Sequence, residues 1–263
     1  MTRLLLKLIL APGLVGAASL AGRRWGHAIE GWLSSFPVIA GPVLYVLALE
    51  QGNGFAAEAA RGTLAGVLAL VLFCLAYAWT SRAAPWPVCL AAGWAAYGAG
   101  MATLAFLAPP FETAFAAVLV ALLAAAWILP PSPGRTGADA PGWEIPARML
   151  AAAALVLALT GTGSILGPMW SGLLATFPVA GTTLAVFTHR RHGPAGATAF
   201  FRGFVTGLQS FSAFALTLAL ILPTRGRDEA FVIATGAAVA MQAVSFFRSK
   251  GFRAAPAPGD SAS

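Results

Sequence analysis

Apolar residues in this chain fall in long unbroken blocks, not in the period-two alternation of a barrel strand of about 10 residues. Each block has the length of a membrane-crossing helix, roughly 17–25 residues. The predicted spans are about Leu4–Ala21, Trp32–Leu49, Gly62–Thr80, Trp86–Phe106, Thr113–Leu129, Ala147–Gly163, Gly172–Thr188, Gly203–Leu222 and Glu229–Phe247. The fold class expected is all-α, a polytopic membrane bundle of about nine helices, with roughly eight to ten as the bracket. Ala108-Pro109-Pro110 separates the fourth span from the fifth, because proline removes a backbone donor and restricts the residue before it. Arg3, Lys7 and the small residues Ala17–Ala21 give the first span some character of a secretory signal. Its counterpart in the repeat described below is an ordinary internal span, so retention is expected.

Composition agrees. The chain of 263 residues is 59% hydrophobic and 10% charged, where a soluble domain carries about 25% charged residues. The formal charge of +7 would suit nucleic acid, but the basic residues sit in short loops without interleaved aromatics. They read as topology signals, and no nucleic-acid partner is expected. Cys74 and Cys89 lie inside apolar runs without CxxC spacing, which indicates neither a disulfide nor a zinc site. The Ala/Gly/Pro-rich usage resembles a bacterial high-GC composition, so the bacterial plasma (inner) membrane is the expected location.

One set of alternating loops holds Arg23-Arg24, Arg82, Arg135 with Arg148, Arg190-Arg191, and the tail residues Arg248, Lys250 and Arg253. The opposite set holds Glu50, Glu58 and Arg61, then Glu112, then Arg225-Arg227-Asp228-Glu229. The positive-inside rule puts the first set in the cytoplasm, with the N-terminus outside and the C-terminus inside. Arg3 and Lys7 oppose that assignment.

Sliding the chain along itself until Gly26 falls on Gly167 aligns Gly26–Trp79 with Gly167–Leu220 without a gap, with 14 of 54 positions identical. Among the matches are Phe36-Pro37-Val38 with Phe177-Pro178-Val179, Arg61-Gly62 with Arg202-Gly203, Gly66 with Gly207, and Gly31 with Gly172. The chain therefore divides into a first repeat (residues 1–108), a linking helix and cytoplasmic linker (109–146), a second repeat (147–247) and a basic, disordered tail (248–263). Four spans per repeat and one between them require the repeats to be inverted in the membrane. Inverted repeats resemble the architecture of many secondary transporters, with a substrate site at the repeat interface on helices broken by Gly and Pro.

The candidate site follows from the two FPV segments. Pro37 and Pro178 interrupt equivalent spans, and the freed backbone groups must find protein, water or ligand partners. Ser34, Ser35, Thr176, Thr182 and Thr183 add hydroxyls beside Phe36 and Phe177. Two such breaks facing each other would make a polar pocket, with helix N-termini favouring an anionic group; the alternative is a pair of packing kinks. Arg61 and Arg202 read either as snorkelling anchors or as gating and anion-attracting residues. Gln209 reads as a binding residue or as an interhelical hydrogen bonder, and Gln242 shares that ambiguity. Gly62–Gly66 and Gly203–Gly207 read as small-residue packing faces.

No Asp lies inside a span, and Glu30 and Glu50 flank the second one; Glu50 is the candidate for coupling to a proton or sodium ion. His189-Arg190-Arg191-His192 reads as a topology signal, because a metal site would need Cys or carboxylate neighbours. No zinc-protease, nucleophile-elbow or phosphate-loop motif is present, so no enzyme, cofactor or metal is expected. The function expected is secondary transport of a small solute, an anionic metabolite among the options, with a non-transporting accessory or scaffold subunit as the alternative. The expected partners are the lipid bilayer and the solute, with a homodimer left open.

Overall fold

The computed structural model describes residues 2–131, 143–160 and 176–248, with side chains from residue 9 onward and up to residue 155 in the seventh helix. Gly172, the stretch Ser164–Trp170, the linker charges Arg135 and Asp139, and the tail residues Lys250 and Arg253 lie outside them. Among the described residues the protein is all-helical: α1 (Thr2–Trp25), α2 (His27–Ser34), α3 (Ala40–Gln51), α4 (Asn53–Thr80), α5 (Trp86–Leu107), α6 (Phe111–Ile128), α7 (Glu144–Thr160), α8 (Val179–Ile221) and α9 (Arg227–Arg248). Helices α4, α5, α6, α8 and α9 are long and apolar enough to cross a bilayer.

Local chemistry sets several boundaries. Ala108 closes α5 in the left-handed region, at φ 39°, just before Pro109 and Pro110. Glu112 opens α6, and Asp228 with Glu229 opens α9, where carboxylates favour the positive end of the helix dipole. Gly26, Gly52 and Gly193 have φ of 96°, 88° and 62°, and the latter two have ψ of 166° and −159°. That region is essentially confined to glycine. Gly52 and Gly193 occupy matching positions in the alignment of the chain with itself, and each is the single non-helical residue between two helical segments.

The interruption expected at Pro37 splits the span Trp32–Leu49 over residues 35–39. Three connections differ from expectation. The loop expected before Gly62 is instead helix from Asn53, and the loop expected between Thr188 and Gly203 is helix kinked only at Gly193. The expected linker is helical from Glu144.

Of the five span-length helices α4 has the most enclosed apolar stretch, with Leu64, Phe73, Cys74 and Tyr77 fully buried. It packs on α8 through an aromatic cluster, with Phe201 at 5.8 Å from Phe73 and 5.0 Å from Tyr77. The short α2 lies against α8 at backbone contact: a Cβ on Gly203 would overlap the Ala28 carbonyl, and one on Gly31 the Phe200 carbonyl. Outward from this centre the surface is apolar. Phe106, Val120, Leu123, Trp127, Val232 and Phe247 are all exposed on α5, α6 and α9, a band too extensive for a water-facing surface. The chain is a membrane protein.

Side-chain contacts define two ends of the bundle. At one end Arg82 lies over Trp79, Arg190 over Trp86, Trp79 Nε1 donates to the Ile128 carbonyl and Arg148 pairs with Glu30. At the other Arg61 pairs with Glu58 and lies over Phe111, and Tyr45 donates to Asp228. The loop residues assigned to the cytoplasm from sequence, as far as they are described, gather at the first end.

Candidate functional site

The two FPV segments adopt the same turn. Val38 N–H donates to the Phe36 carbonyl at 2.8 Å, and Val179 N–H to the Phe177 carbonyl at 2.8 Å. Pro178 has φ −78° and ψ 61°, the geometry of an inverse γ-turn, and proline presets that φ. Each turn then starts a helix: Gly41 N–H bonds the Pro37 carbonyl at 2.9 Å and Thr182 N–H the Pro178 carbonyl at 2.7 Å. Phe36-Pro37-Val38 thus lies in the short break between α2 and α3, and Phe177-Pro178-Val179 leads into α8 through the same turn.

Both turns border one cavity of about 50 Å³. Ser34, Ser35, Phe36, Thr176, Phe177 and Pro178 line it, with Leu70, Leu208 and Phe211 as apolar wall. First-turn N–H groups have no intrahelical acceptor, and Ile39, Ala40, Ala180 and Gly181, from the starts of both helices, also line it. Two positive helix ends therefore converge on one small space. Ser34 Oγ donates to the Gly31 carbonyl at 2.9 Å and Ser35 Oγ to the Trp32 carbonyl at 2.8 Å. Thr176 Oγ1 is 3.1 Å from the Tyr97 hydroxyl, and Trp94 Nε1 donates to Thr182 Oγ1 at 3.2 Å. Tyr97 and Trp94 flank the Phe177 ring at 5.5 and 6.1 Å.

Across the interface the contacts are reciprocal. A Cβ on Gly66 would press on Thr176, and one on Gly207 on Ser35 and the Trp32 carbonyl. Gly66 matches Gly207 in the alignment of the chain with itself, and Ser35 matches Thr176. The packing role expected of Gly66 and Gly207 is therefore played against the cavity-lining residues Thr176 and Ser35, and that of Gly203 against Ala28.

Other residues singled out from sequence lie elsewhere. Pro37 is buried behind the turn, and Thr183 bonds its own helix at the Val179 carbonyl. Gln209 is half-buried and does not line the cavity, whereas Gln242 Nε2 donates to the Trp32 carbonyl at 2.9 Å and fixes α9 on α2. Arg61 is half-exposed at its end of the bundle, and Arg202 donates to the Leu129 carbonyl at 3.2 Å. Neither reaches the cavity. Glu50 is exposed at the end of α3.

Sequence reasoning missed a second polar site. Glu30, expected at the membrane flank, is 1% exposed, and Arg148, expected in a loop, is 4% exposed. Arg148 bridges Glu30 at 2.5 Å and Glu144 at 2.7 Å, while His27 Nδ1 is 2.9 Å from Glu30. His192 stacks obliquely on His27 with ring centroids 4.4 Å apart, and His189 lies 3.3 Å from the Tyr77 hydroxyl. These histidines are packing and polar partners, more than the topology signal read from their neighbouring arginines. The available cue was spacing: His27 with Glu30 and Glu144 with Arg148 are three and four apart, one face of a helix in each case. Among the described residues no group of three or more His, Cys, Asp or Glu is placed to hold a metal ion.

No protein-family model, curated protein or solved structure matches the chain.

Proposed function

We propose that the chain is a secondary transporter of a small anionic solute, built from two inverted repeats and working by alternating access at their interface. The observation that carries this reading is the pair of FPV turns, interrupted alike and bordering one cavity. Convergent helix N-termini favour a negative group there. Reciprocal contacts of Gly66 with Thr176 and Gly207 with Ser35 support a two-fold relation between repeats. So do the positive-φ glycines 52 and 193. Inversion is supported by the two ends: α4 runs from the Arg61 end to the Trp79 end, and its counterpart 194–221 starts near the Trp86–Arg190 contact.

A water needs about 10–15 Å³ of such space, so a cavity of about 50 Å³ takes a solute of only a few heavy atoms. Larger substrates require the two sides to part. The gathered arginines support the reading that this end faces the cytoplasm, with the N-terminus outside, in what we propose is a bacterial plasma membrane.

The test is solute flux in proteoliposomes over a panel of small organic and inorganic anions. Flux of one class, reduced by Ser35→Val or Thr176→Val in protein that elutes as a folded species, is the expected result. If Pro37→Ala together with Pro178→Ala leaves folding and every detected flux unchanged, the pocket is not the transport site.

A further inference from the structure

The buried charges around Glu30 have a composition that the pocket lacks. From α2 come His27 and Glu30; from α7, Glu144 and Arg148; from α1, Ser19 and the rim residue Arg23; from α8, Thr188, Arg191 and His192. Glu30, Glu144, Arg148 and His27 are each more than nine-tenths buried. With histidine neutral, that inner set holds two carboxylates and one guanidinium, a net negative charge in a medium that penalises uncompensated charge. Arg191 offsets part of it from the rim, 3.6 Å from Glu144 and 35% exposed at its side chain.

Opposite an ionised carboxylate, His27 Nδ1 carries its hydrogen and donates to Glu30. Its other nitrogen, Nε2, is buried without a hydrogen-bond partner among the described residues. Glu144 Oε2 and Arg148 Nε are buried without a hydrogen-bond partner among the described residues as well, but Glu144 Oε2 has Arg191 at 3.6 Å and Arg148 Nε is a donor. The Nε2 lone pair is therefore the acceptor of the set with neither a hydrogen bond nor an ion-pair contact among the described residues. A small cavity of about 10 Å³, bordered by His27, Glu30, Arg148 and Arg23, lies beside it. His192, half-buried, also lines this cavity and directly precedes Gly193, where α8 kinks.

We propose that His27 and Glu30 form a proton-binding site, reached past His192, whose occupancy is transmitted to the pocket along α2. Protonation at Nε2 converts His27 to imidazolium, forms one N–H bond and breaks none in the protein, and brings the inner set to neutrality. Transmission is short. Glu30 and Ser34 are four residues apart on one eight-residue helix, a rise of about 6 Å. Helix α2 touches α8 backbone to backbone at Gly31 and Gly203, so a shift at Glu30 is carried to Ser34 and Ser35. The proton itself need not drive transport for this to hold, but the functional importance of the coupling rests on the pocket reading.

Two measurements on the full chain in nanodiscs test it without any substrate. The chain has three histidines, so ¹⁵N-histidine spectra are assignable from His189→Gln and His192→Gln. Between about pH 8 and about pH 5, His27 is expected to pass from neutral imidazole to imidazolium in the unaltered sequence. A His27 that stays neutral throughout overturns the site.

The second measurement places a thiol at the pocket as Ser34→Cys, with Cys74 and Cys89 replaced by Ala. Its rate with a small thiosulfonate is scaled to that of Gly54→Cys, an exposed position. The scaled rate is expected to change by roughly 5-fold or more across that pH range, and the change is expected to vanish in Glu30→Gln and in His27→Gln. A flat profile, or one unaltered by either variant that still elutes as a folded species, overturns the coupling. Absence of anion flux with this profile intact would instead strike the transport reading alone.

Discussion

The protein holds two buried polar regions within one short helix of each other, and they are built on opposite rules. Around the FPV turns the polar elements come in matched pairs from the two aligned segments: Pro37 with Pro178, Ser35 with Thr176, Gly66 with Gly207, and the two turns bond for bond. Around Glu30 the pairing fails. The positions equivalent to His27, Glu30, Glu144, Arg148 and His192 are Pro168, Ser171, Arg3, Lys7 and Gln51, so only Arg148 keeps even its charge. The first region contains backbone dipoles and hydroxyls but no ionisable lining side chain, whereas five of the eight residues lining the second are ionisable. If the pocket is the transport site proposed above, it would have to open to both sides, and matched surfaces from the two aligned segments would serve that. A site that responds to one compartment would need to exist only once.

The contrast can be broken most forcefully at Arg148. Arg148→Met leaves Glu30 and Glu144 buried together without their shared cation, and removing one partner of such a set costs about 3–5 kcal/mol. The expected outcome is loss of the monodisperse peak in detergent, with partial rescue by Glu144→Gln in the same chain. A variant as stable as the parent would show that the cluster is hydrated and not a closed ionic core.

The paired glycines sharpen the other side of the comparison. A Cβ at Gly52 or Gly193 meets no atom within 4 Å, so alanine there costs only backbone strain, about 1–3 kcal/mol. Gly52→Ala and Gly193→Ala should lower thermal unfolding in detergent by similar amounts, as equivalent hinges would. A large effect at one and none at the other would separate the two junctions. Tyr97→Phe removes the hydroxyl beside Thr176 and should cost about 1 kcal/mol, read by the same melting measurement, together with altered flux for any transported anion. Glu50→Gln comes last. This exposed carboxylate should change stability by less than about 0.5 kcal/mol, against a severe effect at Glu30, and a stronger response at Glu50 would reverse the ranking of the two.

Much of this was legible beforehand. Helix after helix follows from apolar blocks of spanning length, and the FPV segments stood out because a rare triplet occurs twice in the same register. Their turn geometry was less accessible: a proline in an apolar run looks like a kink, and only the backbone conformation reveals a γ-turn that restarts the helix. Burial of Glu30 and Arg148 was missed because each sits near a span end, where a charge ordinarily snorkels to water. Neither residue announces a partner 118 positions away. Arg61, Arg202, Gln209 and Glu50 were reasonable as isolated polar residues, yet their helices carry them away from the cavity.

The amino-acid sequence alone determined the membrane class, the helical content and the matching of positions between its two similar segments, because hydropathy, span length and segment identity are properties of a line. Tertiary structure decided which polar groups share a space. That depends on how α2 lies on α8 and how α7 returns to α1, and on side chains meeting across long separations that no local pattern encodes.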